Sequence, residues 1–453
     1  MQDLTEGPIA GHLGKLAAPI AIGMLFQTLY YLVDLYFVAQ LGEAAIAGVS
    51  SAGNVQFLVM ALTQALAAGT MALIAHASGR KDPEDSSLIF NQSIGLAGLC
   101  AVITLIGGYV LAGPYMRVLG ADAATAEAGT TYLHWFLPGL GLQFALASMG
   151  AALRGTGVVQ PTMIVQMATV TLNAVLAPIM IAGWFTGRPL GVLGAGLSSS
   201  IAVGAGVVML GYYFAKQSRY IEFNLARMRP DFSAWKRILS IGLPPGGEFA
   251  LMFVYMAVVY WTIRDFGAQA QAAYGVGSRV MQAIFLPAMA IAFAVGPLAG
   301  QNVGAGRHDR ARKSFTTAAL IGSSIMLVLT LLCQLRPEVL IRGFTDDTQV
   351  IALGGEFLRI ISWNFVAVGI VFTCSGMFQA LGNTLPGLGA ASSRLITFAV
   401  PAVWLSSQPW FELPHLWYLS VASVTLQAVL AWLLVRLQLR ARLPGPSADP
   451  ATT

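Results

Sequence analysis

Charge is what this chain of 453 residues has least of: Asp, Glu, Lys and Arg together make up 10% of it. With 56% hydrophobic residues and a mean hydropathy of +0.70, that scarcity excludes an ordinary soluble domain. Cysteine is scarce as well. Cys100, Cys333 and Cys374 fall inside apolar runs and form no CxxC pair, so they read as small buried hydrophobes and carry no redox message. The five histidines, His12, His76, His134, His308 and His415, are scattered over helix ends and loops, and no metal cluster or cofactor site emerges. No GxxxxGK[ST] loop is present, so ATP is not the expected fuel. A nucleophile elbow and a paired acid/base constellation are missing too, which argues against an enzyme. The N-terminal MQDLTEGPIAGHLGKLAAP lacks the basic start and cleavage site of a signal peptide, so the first apolar run reads as a retained helix.

Long apolar stretches are abundant instead. Twelve runs, with approximate edges 13–39, 46–75, 88–113, 127–153, 160–184, 190–215, 236–263, 272–298, 314–335, 352–379, 385–405 and 415–437, approach or exceed the roughly 20 residues that cross a hydrocarbon core as a helix. The expected fold is an all-α membrane protein with both termini on one side. Placing the termini in the cytoplasm gives that side 18 of the 25 basic residues, Arg394 among them. The remaining seven, with Arg279, go to the outside or the outer helix ends, so the positive-inside rule favours cytoplasmic termini in a cell (inner) membrane. The net charge of +5 then reflects topology, and no nucleic-acid partner is expected.

Laid on itself, the chain repeats at a constant offset of 225. Pro19 meets Pro244, Gly42 meets Gly267 and Gly79 meets Gly304. RVLGAD (117–122) lies on RGFTDD (342–347), bringing Asp122 onto Asp347, and RGTGVVQP (154–161) lies on QALGNTLP (379–386). Landmarks at one ungapped offset mean two six-helix lobes related by a pseudo-twofold internal repeat, the layout of membrane transporters with a central site. The expected organisation is a first lobe over 1–214, a basic cytoplasmic linker over 215–237 lying partly on the membrane surface, a second lobe over 238–440, and a Pro/Ser/Ala-rich disordered tail over 441–453.

Two acids are embedded in these runs. Asp34 stands in QTLYYLVDLYFVAQLG, eight residues or about 12 Å of helix before Gly42. An ionised carboxylate at a helix centre costs about 3 kcal/mol on insertion scales, so such residues face a bundle interior and carry function; desolvation raises their pKa toward neutrality. Glu248 in GLPPGGEFALMF follows two prolines and two glycines, a place where freed backbone groups can join a carboxylate in binding a cation or a substrate ammonium. The Met- and aromatic-rich LMFVYMAVVYW (251–261) suits a plastic cavity for flat cations, while the same residues would also suit lipid contact, with Trp261 as an interfacial anchor. Gln27, Met252, Tyr255 and Met256 are the cavity candidates.

LYYLVDLYFVAQLG followed by AIAG, the loops ASGRKDPEDSS and GQNVGAGRHDRAR, the pair LRGTGVVQPTM and FQALGNT, and LGVLGAGLSSSIA together resemble the multidrug and toxic compound extrusion (MATE) family over nearly the whole chain. The resemblance implies a monomeric secondary exporter with a V-shaped central cavity that alternates between cytoplasm and outside. Uptake of H⁺ or Na⁺ would drive out bulky, often cationic, aromatic xenobiotics. In the DinF-like branch the first-helix Asp works with a Tyr one turn earlier and with an Asn and an Asp on the fifth helix. Tyr30 and Asn173 match here, but Ala177 stands where the second acid would be, leaving Asp34 as the sole titrating group of that site. Ser199 and Tyr132 match family positions on the sixth and fourth spans. The NorM-like branch places its acids deeper in the seventh helix and on the eighth and tenth. The tenth span here offers Glu356 at its start and Asn364 inside, which favours H⁺ over Na⁺ coupling. The competing class is a flippase for a lipid-linked intermediate from the same superfamily, which should carry several Arg or Lys within its spans, where almost none is expected here. A pore would need an oligomeric ring of polar groups.

Overall fold

The computed structural model describes residues 1–119, 122–216 and 220–443; the side chains at 31, 32, 34, 35, 225 and 226 lie outside the description. Among the described residues every regular element is helical: α1 Ile9–Ala39, α2 Glu43–Gly79, α3 Pro83–Leu119, α4 Ala123–Gly155, α5 Gln160–Ile181, α6 Val192–Lys216, α7 Phe232–Ile263, α8 Ala268–Gly304, α9 His308–Leu335, α10 Pro337–Arg342, α11 Thr348–Ile361, α12 Asn364–Ala380, α13 Leu385–Ser406 and α14 Leu413–Arg442. Eleven are long and apolar enough to cross a membrane, and α11 with α12, bent by 57° at their junction, make a twelfth span. The twelve runs are therefore twelve spans, and the chain is an integral membrane protein. The tenth run is broken at Ser362 and Trp363, which its apolar sequence gives no sign of.

The repeat reappears helix by helix. α8 starts and ends at the offset positions of α2, α11 starts and α12 ends at those of α4, and α13 starts and ends at those of α5. The punctuation matches too, because each turn demands a particular residue. Gly42 and Gly267 precede α2 and α8 at φ 104° and 88°, and Gly157 and Gly382 follow α4 and α12 at φ 77° and 65°, values that favour a residue without Cβ. Asp122 caps α4 by accepting a hydrogen bond from the Thr125 amide at 2.7 Å; Asp347 caps α11 by accepting from the amides of Gln349 and Val350. The Thr125 amide holds the Asp122 carboxyl below its usual range.

By internal packing the chain divides into two units, Met1–Asp3 with Ile22–Gly246, and Leu4–Ala21 with Gly247–Thr453. The segments 4–21 and 229–246 are related by the same offset. Within the first unit the start of α7 lies directly on α2. A Cβ on Gly242 would overlap the Ala65 carbonyl oxygen, and one on Gly69 would overlap the Ile238 carbonyl oxygen, so bare glycine is what permits the contact. α2 and α4 form the interior of this unit, with 67% of their most apolar windows buried, whereas α3 has 11% buried and turns Val102, Ile103, Ile106 and Val110 outward, as lipid requires. In the second unit the N-terminal segment is tied to the end of α8. Leu4 N–H donates to Gln301 Oε1 at 3.1 Å, Asn302 Nδ2 donates to the Leu4 carbonyl at 3.2 Å, and Arg307 donates to the Thr5 carbonyl at 2.6 Å.

The basic linker is held by a buried polar row on α3. Gln92 donates to the carbonyls of Arg227 and Arg229 at 2.6 and 2.7 Å and accepts from Asp231 N–H at 3.0 Å. Asn91 donates to the Glu222 carbonyl at 2.8 Å and accepts from Asn224 N–H at 2.9 Å. Between these anchors the linker makes one 3-10 turn, Leu225–Met228. At the C-terminus, positions 441 and 442 complete α14, and residues 444–453 of the expected tail lie outside the described residues.

Candidate functional site

The strongest sequence candidate, Asp34, falls on the α1 backbone, but its side chain lies outside the described residues. Tyr30, one turn earlier, is half-buried. Asn173, on the inward face of α5 in the same packing unit, is fully buried, and both atoms of its side-chain amide lack a hydrogen-bond partner among the described residues. A buried amide left so costs about 1–3 kcal/mol, a penalty that proteins tolerate where a ligand or proton carrier completes the bonding. Ala177, one turn on, is fully buried as well, so no second carboxylate occupies that level of α5.

Ser199 and Tyr132 are both buried, Tyr132 with its ring 5.2 Å from Phe136. The serines flanking Ser199 have structural tasks. Ser198 donates to the Ala195 carbonyl at 3.0 Å. Ser200 is wedged into α4 beside Pro138: its hydroxyl donates to the Trp135 carbonyl at 2.6 Å and accepts from Gly139 N–H at 3.0 Å, replacing the backbone bond that those two groups would share.

In the second unit Glu248 is half-buried on α7 and accepts a hydrogen bond from the Ser375 hydroxyl of α12 at 3.0 Å. α13 approaches it at Gly387, where any Cβ would press on the carboxylate. Two turns further along both helices, Tyr255 of α7 meets Arg394 of α13: the guanidinium carbon lies 4.3 Å from the Tyr255 ring centroid. Tyr255 is thereby fixed inside its own unit, sharing a 2.8 Å hydrogen bond with Ser420 and packing on Phe398 at 4.5 Å. Met252 and Gln27 are exposed and Met256 is half-buried. Trp261 is 44% exposed with Arg264 4.8 Å over its ring, the geometry of an interfacial anchor.

Arg394 is the residue that sequence reasoning misplaced. Counted toward the cytoplasmic side, it lies nine residues inside α13, about 14 Å from that helix's start and within the span. Arg279 likewise lies eleven residues inside α8 and is exposed. The expectation that the spans hold almost no basic residues therefore fails for the second lobe. The signal was available: an arginine flanked by ten or so apolar or small residues on each side.

Among the described residues no three of His, Cys, Asp and Glu cluster in a way that would hold a metal ion. A cavity of about 600 Å³ in the second unit opens between α10, α11 and α14 and is lined by Glu338, Arg342, Glu356, Arg359 and Tyr418, with Arg359 paired to Glu338 at 2.9 Å.

The MatE family model matches residues 19–179 and again residues 244–405, the second match beginning where the repeat offset places the start of the first. The chain is 26% identical to the multidrug export protein MepA of Staphylococcus aureus over 98% of its own length and 97% of the relative's. It is 23% identical to a FAD transporter of Shewanella oneidensis over 89% of each chain. Its backbone superimposes on that of a MOP superfamily transporter from Pyrococcus furiosus with a TM-score of 0.89 at 24% identity, covering 97% of this chain and 98% of that one.

Proposed function

The chain belongs to the MatE family of membrane transporters, and from that premise we propose that it is an exporter driven by protons entering from outside, with Asp34 as the group that titrates. Members of this family couple transport of small molecules to ions. Multidrug export is the role named for the S. aureus relative, and it suits the Met- and aromatic-rich seventh span of this chain. Cargo would be bulky aromatic compounds leaving a cell membrane in which both termini face the cytoplasm.

The observation that carries the choice of H⁺ and of the first lobe is Asn173. Its amide is fully buried and has no partner among the described residues, on the helix that the family resemblance pairs with Asp34, while Ala177 removes the second acid that a firmly held metal cation would want. One carboxylate next to a neutral amide suits a proton, which needs a single acceptor. Protonation removes the desolvation penalty of the embedded carboxylate and so shifts the balance between two arrangements of the first lobe. Tyr30, Tyr132 and Ser199 would set the hydrogen bonding of the two states. Glu248, bonded to Ser375 and close to the double proline of α7, is the second acid able to take part.

The test is dye efflux from proteoliposomes under an imposed pH gradient, with and without sodium. Wild type should move a cationic dye with the pH gradient alone, and Asp34→Asn should lose at least about tenfold of the rate, the equivalent of ~1.4 kcal/mol. Transport by the variant at the wild-type rate would remove Asp34 from the mechanism, and a requirement for sodium would overturn the proton.

A further inference from the structure

We infer that the second lobe contains a binding site for a carboxylate or similar single anionic group on a free aromatic compound, centred on Arg394 with Tyr255, Ser420 and Asn364. The inference rests on the exporter reading only for what happens after binding.

An arginine within a span is costly, so it is expected to have a partner that neutralises it. Among the described residues Arg394 has no ion pair, and its Nε–H is buried with no acceptor. What it has is the face of Tyr255 at 4.3 Å. Stacking uses the guanidinium plane and leaves its N–H edge free, and that edge is the fork that matches a carboxylate with two parallel hydrogen bonds. The surroundings continue the theme. The Tyr255 and Ser420 hydroxyls share a bond of 2.8 Å, and Asn364 Nδ2 donates to Ser420 at 3.4 Å. Asn364 is 3% exposed, and its side-chain oxygen has no partner among the described residues; turning that amide over would present N–H₂ in its place. The nearest acid on the same helix pair, Glu248, stands two turns away, about 10 Å along α7, and is already bonded to Ser375.

The repeat makes the difference between lobes explicit. Tyr255 lies at the offset position of Tyr30. One turn further on, the first lobe has Asp34 where the second has the buried Val259, and the position of Arg394 is Thr169 in the first lobe. The same level of the two lobes thus carries charges of opposite sign. A compound with an anionic group on a flat ring would meet the guanidinium edge with its charge and the half-buried Tyr255 with its ring, while the fully buried Phe398 holds Tyr255 from behind. A lipid pyrophosphate carries more charge than one guanidinium matches, which is why the free aromatic anion is the better fit.

Equilibrium binding to the full-length protein in nanodiscs tests this without any gradient. The probes are fluorescein, which carries a carboxylate, and a rhodamine methyl ester, which has the same ring system and a positive charge. Arg394→Gln should weaken fluorescein binding about tenfold or more and leave the rhodamine ester within about twofold, since only the former loses a charge-assisted pair. Arg394→Lys, which keeps the charge and is the milder change to packing, should retain part of the fluorescein affinity. Asp34→Asn should bind fluorescein as wild type does, whatever becomes of its transport, so the two readings fail separately. Failure of the wild type to bind fluorescein would overturn the site, as would equal loss of both dyes in Arg394→Gln, the mark of a purely structural arginine. Displacement of fluorescein by short-chain phosphatidate but not by naphthoate would overturn the free aromatic anion in favour of a lipid headgroup.

Discussion

The fourth and tenth spans solve one problem in two ways. Both are related by the repeat offset, and both are disturbed at the same level, where Pro138 in α4 corresponds to Trp363 between α11 and α12. In the first lobe the proline removes an N–H, and Ser200 enters the ladder beside it, yet α4 runs on as one helix. In the second lobe no proline is present, and the helix breaks with a 57° bend. The carbonyl left without its helical partner is the same in each. Tyr109 of α3 donates to the His134 carbonyl at 3.0 Å, and Gln334 of α9 donates to the Arg359 carbonyl at 2.6 Å; positions 109 and 334, like 134 and 359, are repeat counterparts. The repeat therefore preserves a bonding requirement while changing the residue that meets it. A proline does not by itself decide where a helix breaks: the freed carbonyl has a donor in both spans, and the span without proline is the bent one.

The largest expected effect comes from the close approach of α7 to α2. Gly242→Ala would drive a methyl into the Ala65 carbonyl, and since the obstacle is backbone, we expect a loss of about 3 kcal/mol, seen as a collapse of the monodisperse peak in size-exclusion chromatography after heating. Its repeat counterpart is Ala17, which already carries that methyl, so Ala17→Gly should cost only about 0.5–1 kcal/mol through helix propensity. Equal effects at the two positions would show that the contact between glycine and backbone is not what holds the start of α7.

Next in size is Gln334→Leu. Gln334 Nε2 serves both the Arg359 carbonyl and the Ser362 hydroxyl, at 2.6 and 2.8 Å, and Thr330 donates to the Ser362 carbonyl at 3.1 Å. Removing the amide strands the break, with an expected cost of about 1–3 kcal/mol in thermal unfolding followed by tryptophan fluorescence. Trp363 sits at the bend, so its emission should shift as well. A neutral outcome would mean that the break is held by Thr330 alone.

Much of this architecture was legible in the sequence because turns and caps demand particular residues. Gly42 and Gly267, Gly157 and Gly382, and Asp122 and Asp347 could be paired by eye, and each pair proves to share a backbone conformation or a capping role. The break in the tenth span was not legible. The side chains that hydrogen-bond its freed groups, Gln334 and Thr330, stand on a different helix, and the proline that would announce a kink stands in the unbroken partner. For the candidate site, the resemblance pointed to Asn173, and the structure finds its amide buried and without a partner among the described residues. Arg394 was visible as a letter but was assigned to a membrane side by charge counting, a method that sums residues without asking how far into a helix each one stands. Its partner Tyr255, far away in sequence on α7, comes beside it only through the fold.

The smallest and most discriminating change is Tyr109→Phe. The ring is 47% exposed and stacks on His134 at 5.6 Å, so it would stay in place and only the hydroxyl would go. The His134 carbonyl would then lose the Tyr109 donor. The change removes one hydrogen bond and leaves the packing intact, so the expected cost is about 0.5–1 kcal/mol. The comparison between lobes predicts more than this number. If α4 stays whole because its freed carbonyl is satisfied, Tyr109→Phe should loosen the helix locally, and hydrogen–deuterium exchange should rise over residues 134–142 while the rest of α4 is unchanged. Adding Ser200→Ala should raise exchange there further than the sum of the two single changes, since both supports act on adjacent turns. Strict additivity would mean that the proline level of α4 is held by packing, and that the shared bonding requirement of the two lobes is incidental to their shape.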